Sequence, residues 1–101
     1  MNISDKLGKK EAKLQLADNV IFDVDVSADK YLEVQESIKD KDFSIDVMYI
    51  MIEKLMGEKA LDYIKNQKYS LGQIRSIIIA LSALVNEETY EEMEKRFPKE
   101  Q

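Results

Sequence analysis

Two stretches of this chain are apolar around most of a helical circumference. Between Ser70 and Val85 the positions Ile74, Ile77, Ile78, Leu81, Leu84 and Val85 recur at three- and four-residue spacing and define one helical face, while Ile79, Ala80 and Ala83 widen it beyond an ordinary amphipathic stripe. A helix this apolar has to be enclosed, by its own domain or by a partner. Ser70 is placed to cap it, its hydroxyl accepting from a backbone N–H that the first turn leaves unpaired, and Gln73 completes a reciprocal capping box. The second stretch, Ile45 to Met56, opens after Ser44 and closes at Gly57, where a left-handed residue is wanted.

Ahead of these helices the period is two. Ala12, Leu14 and Leu16 alternate with Lys13, Gln15 and Ala17, and Val20, Phe22, Val24 and Val26 alternate with Ile21, Asp23 and Asp25, the two runs being separated by the turn-favouring pair Asp18-Asn19. This predicts a hairpin whose register is set by the need to keep Asp23 and Asp25 in water. An isolated hairpin is marginal, so it must lie on helices. Ser27 then caps a helix from Ala28 with a modest stripe of Tyr31, Leu32, Val34, Gln35 and Ile38, which ends in the charged run Lys39-Asp40-Lys41-Asp42. Ala60, Leu61, Tyr63 and Ile64 mark a short helix that frays near Asn66.

Beyond Val85 the chain turns acidic. Tyr90, Met93, Glu94 and Phe97 share one side of an amphipathic helix that Pro98 stops, with a break or bend expected at Asn86. Met1 to Lys10 read as a loosely ordered start that Ile3 and Leu7 anchor, and residues 98–101 as a tail. The expectation is a single domain over residues 1–101, α+β and mostly α, with a small N-terminal β-hairpin followed by four or five helices packed around the helix starting at Ser70.

Composition narrows the chemistry. The chain has 45% hydrophobic and 35% charged residues, so it has a core to bury and a shell more charged than the roughly 25% of an average domain. Histidine and cysteine are both absent, which removes imidazole acid-base chemistry, thiol nucleophiles, disulfides and the usual zinc ligands. No catalytic residue, cofactor or metal site is expected. Asp40-x-Asp42-x-Ser44-x-Asp46 begins like a calcium loop, but Ile45 replaces the glycine of the sharp turn and Met51 the bidentate glutamate. A net charge of −5 opposes nucleic acid. The cluster Lys6, Lys9, Lys10 and Lys13 is broken by Asp5 and Glu11, and a helix-turn-helix drawn from Glu58 to Leu84 would offer the groove only Arg75. No uninterrupted apolar run, Ile77 to Leu81 included, comes near the ~20 residues of a membrane span, and no signal layout opens the chain. A cytoplasmic protein is the expectation.

What remains is contact with protein. The two apolar helices exceed what a small domain covers, so the expected partner-binding residues are Met48, Tyr49, Met51 and Ile52, where adaptable thioethers stand beside a tyrosine, together with Ile79 and Ala83 on an exposed flank of the central helix. A second copy, giving a homo-oligomer, or a different protein would satisfy that surface. An acidic regulatory or inhibitory module acting through Glu87 to Glu94 is the alternative, and its binding would weaken steeply with salt.

The order of parts carries a resemblance. A hairpin ending Phe22-Asp23-Val24-Asp25-Val26-Ser27 leads to a helix beginning Asp29-Lys30-Tyr31-Leu32; Leu55-Met56-Gly57-Glu58-Lys59-Ala60 and Tyr69-Ser70-Leu71-Gly72-Gln73-Ile74 follow, then the acidic end Tyr90-Glu91-Glu92-Met93-Glu94-Lys95-Arg96-Phe97. Over Val20 to Phe97 this layout resembles the tail assembly chaperones of long-tailed bacteriophages. The resemblance implies a non-enzymatic protein of the host cytoplasm that coats the long helical tape measure protein and keeps it soluble. It further implies recruitment of tail tube protein and absence from the mature virion.

Overall fold

Asn19 turns the chain at φ 64, a left-handed conformation that asparagine tolerates better than most side chains. Across it β1 (Ala12–Ala17) and β2 (Val20–Val24) pair antiparallel. They belong to the computed structural model of the chain, which describes residues 1–97. Ala12 faces Val24 and Leu14 faces Phe22 on the covered side, while Lys13 faces Asp23 outside and its Nζ lies 2.6 Å from the carboxylate. The expected register is therefore the observed one. A shift between Gln15 and Ala17 leaves Leu16 as the extra residue of a bulge.

The hairpin is laid on the helices as its marginal stability demands. Asp25 N–H donates to the Leu55 carbonyl at 2.9 Å, and the Phe22 ring meets Tyr63 at 5.8 Å between centroids. Five helices follow among the described residues: α1 (Ala28–Ile38), α2 (Ile45–Met56), α3 (Glu58–Asn66), α4 (Leu71–Asn86) and α5 (Tyr90–Glu94). Hydroxyls of Ser27, Ser44, Ser70 and Thr89 accept from the N–H groups of Lys30, Val47, Gln73 and Glu92 respectively, so four of the five starts are set by side-chain caps. Gly57 serves α2 and α3 at once. Its φ of 99 with ψ 166 is not the left-handed helical cap expected, but an extended conformation of positive φ that glycine alone adopts readily, and α3 starts at the next residue.

The fold has the expected α+β, mostly α form, and its centre is shared by two helices. α4 packs against α2, and α2 also packs against α1, α3 and β2. Ile52 of α2, Ile64 of α3, and Ile78 and Leu81 of α4 are fully buried, and no polar side chain is buried among the described residues.

Three expectations change. Ile3 and Leu7 anchor nothing: both are exposed, beside a 3-10 turn over Ser4–Lys6 held by local backbone bonds. The break after α4 is present, but Asn86 closes α4 and Glu87 makes the bend at φ 55. Thr89 is then the cap of α5. α5 ends at Glu94, short of the expected stop at Pro98, and tight turns carry residues 95–97, with Arg96 and Phe97 N–H donating to the Met93 and Glu94 carbonyls; the tail 98–101 lies outside the described residues.

Candidate protein-binding surface

The structure disperses the six expected binding residues. Met48 and Ile52, one helical turn apart, face inward and belong to the main core. Tyr49 and Met51 are half-buried and, two residues apart, point to opposite sides of α2. Lys65 sets its ammonium 4.9 Å from the Tyr49 ring centroid. Ile79 and Ala83 are not on an exposed flank. They are 2% and 5% exposed, in a cluster closed by Met93 with Tyr90 and Phe97 packed on it. The bend at Glu87 is the cause, because it turns the chain back and lays α5 over that side of α4.

Of the six, Met51 reaches a groove open to solvent between α1, α2, α4 and α5, and Ala83 touches a separate cavity walled by the charged side chains Lys10, Lys13, Glu87 and Glu88. Tyr31 and Val34 of α1, Met51 and Leu55 of α2, Val85 of α4 and Met93 of α5 give the groove apolar walls, and Gln35, Ser82, Asn86 and Arg96 its polar atoms. It holds about 200 Å³, less than the roughly 300–1,000 Å³ of a small-molecule site. A side chain or two inserted from a helix is the better match. Tyr31, which lines the groove, is 44% exposed, and Leu32, the next residue of α1, is 64% exposed. In the sequence these residues form only a modest stripe on the least apolar of the long helices. The signal was Tyr31-Leu32 standing together on a helix whose burial rests on Val34.

Charges brace this region. Glu33 accepts from Lys30 at 3.1 Å and lies 3.5 Å from Lys54, linking α1 to α2. Hydrogen bonding from Lys30, then the charges of Lys30 and Lys54, hold its carboxyl below the ordinary glutamate range. Backbone and hydroxyl hydrogen bonds from Thr89 do the same for Glu92, and those from Ser27 for Asp25. Such shifts keep carboxylates ionised instead of poising them near neutrality for proton transfer. Much of the acidic end has structural partners: Glu87 pairs with Lys10 at 3.1 Å, Glu88 with Arg96 at 2.7 Å, and Glu92 completes the capping box.

A pH dependence follows from these shifts. A carboxyl whose folded pKa is depressed stabilises the fold above its unfolded pKa, and that contribution is lost as pH falls through the folded value. Thermal unfolding followed by circular dichroism should hold level from about pH 8 to 5, where no histidine titrates. The midpoint should then fall as acid passes below the ordinary carboxyl values of 3.8 and 4.5. A midpoint unchanged down through that range would show that these pairs contribute nothing.

No protein-family model matches the chain, and no curated protein or solved structure is significantly similar to it. Among the described residues no helix is long and apolar enough to cross a membrane.

Proposed function

We propose that this chain is a non-enzymatic tail assembly chaperone that binds helical segments of a phage tape measure protein through the groove between α1, α2, α4 and α5. The observation that carries the reading is the exposed pair Tyr31 and Leu32 beside an apolar groove, on a chain of net charge −5. An amphipathic client helix lays its apolar side into such a groove, and the net negative charge of the chain favours the solubility of the complex. The client is named from the resemblance of the layout to tail assembly chaperones. Recruitment of tail tube protein belongs to the same proposal, as does a place in the host cytoplasm.

The test is titration of labelled helical fragments of a candidate tape measure protein, read by fluorescence anisotropy. Tyr31→Ala and Leu32→Glu should each weaken binding by at least about tenfold, the loss of one anchoring side chain. Ile21→Glu, an exposed change on the outer face of the hairpin, should leave binding as it was. Affinity should persist as salt rises, because apolar contact is not screened. Fragments that never bind would overturn the chaperone reading, whereas unchanged binding by Tyr31→Ala and Leu32→Glu would overturn only the groove. A steep fall with salt, abolished by changes in Glu87 to Glu94, would point instead to the acidic regulatory module.

A further inference from the structure

Ile79, Ala83, Asn86, Tyr90, Met93 and Phe97 follow one another at steps of four, three, four, three and four residues, the a/d spacing of a coiled-coil strip. Here the strip is folded on itself at Glu87. The half before the bend covers the half after it: Ile79, Ala83 and Met93 form a buried cluster apart from the main core, and the Arg75 guanidinium lies 5.9 Å from the Phe97 ring centroid. These pairings are symmetric about Asn86. Ile79 stands seven residues before it and Met93 seven after; Arg75 stands eleven before and Phe97 eleven after. If α4 ran on without the bend, its strip would lie open along one helix. A second copy laid antiparallel, with Asn86 at the twofold axis, would restore each pair between chains.

We infer that residues 88–97 are an exchangeable arm, and that a second copy of this chain is the partner that takes it up, with α4 and α5 joined as one helix. The inference does not depend on the chaperone reading. The bend puts a residue that carries a Cβ into the left-handed region, a conformation that a continuous helix relieves. α5 has five residues, too few to be helical without a surface to lie on. Asn86, exposed at the elbow in the folded-back chain, would meet its copy at the axis, and a polar residue at such a position selects a single alignment of two helices. The self-complementary strip is what a twofold interface requires, and short bends under strain favour exchange of an identical element. On the other side, the Thr89–Glu92 capping box and the Glu88–Arg96 pair hold the folded-back form. Monomer and dimer therefore compete, and the bend decides between them.

The experiment compares Glu87→Gly with Glu87→Ala by size-exclusion chromatography with light scattering over a range of concentrations. Both lose the ion pair to Lys10, so their difference reports the backbone alone. Glycine takes the left-handed bend freely and alanine only at a cost, a factor of roughly 5–30 per chain. With two bends per dimer, the association constant of the alanine variant should exceed that of the glycine variant by at least about 25-fold. In a second measurement, Asn86→Cys in this cysteine-free chain should form a disulfide-linked dimer on mild oxidation, while Glu36→Cys, equally exposed on α1, should remain single. Monomers at every concentration, equal association constants, or an Asn86→Cys variant no more cross-linked than the Glu36→Cys variant would each overturn the exchange.

Discussion

Ile52→Ala should lower the free energy of unfolding by about 3–4 kcal/mol, within the 2–5 kcal/mol range for truncating a buried isoleucine. The side chain has no exposed surface and sits on the face of α2 that builds the main core with α4. Truncation leaves a void that the two helices close only in part, so the loss exceeds the transfer term alone. Against the ~5–15 kcal/mol of a domain this size it is a large share, equivalent to roughly 15–20 °C in the unfolding midpoint. Tyr31→Ala, by contrast, removes a side chain already 44% exposed and should cost less than about 1 kcal/mol. Denaturant unfolding followed by circular dichroism separates the two. If Ile52→Ala costs no more than Tyr31→Ala, the α2–α4 contact is not what holds the fold.

The same comparison explains what could be read from the sequence and what could not. Hairpin, register and helix starts were legible because each rests on neighbours in the chain: the period-two alternation around Asp18-Asn19, and the cap residues Ser27, Ser44 and Ser70. Which apolar side chains remain in water was not legible, since that depends on where distant segments come to lie. Met48 and Ile52 looked like adaptable contact residues and are core, because α3, α4 and the hairpin all use α2. Ile79 and Ala83 looked uncovered, because nothing in the run from Ser70 to Val85 foretells that Glu87 takes a left-handed bend. That bend carries no glycine and is closed by a cap two residues on, at Thr89. The pattern Thr89-x-x-Glu92 was the available signal. It has the form of a capping box, as Ser70-x-x-Gln73 does, and reading it would have fixed both the break and the start of α5.

Ile79→Glu should release α5 while leaving the main core folded. Ile79 is 2% exposed, and a carboxylate left there without a partner costs roughly 3–5 kcal/mol. The chain has a cheaper course. The cover over Ile79 is Met93, with Tyr90 and Phe97 at its edge, and exposing one buried methionine costs about 1.5–3 kcal/mol. Undocking α5 therefore limits the damage to about 2–3 kcal/mol, and the cooperative transition of the remaining helices survives. Ile78→Glu makes the opposite case from the adjacent position. About 100° further round α4, Ile78 is fully buried in the main core, where no short segment can lift away, so the whole domain should unfold. Hydrogen exchange reads the difference directly: Ile79→Glu should lose protection of the Glu88 and Met93 amides, which donate to Ala83 and Thr89, while the amides of α2 stay protected. Equal loss across α2 and α5 would mean that the bend at Glu87 joins α5 to the core as one unit, and that the arm cannot open without the fold.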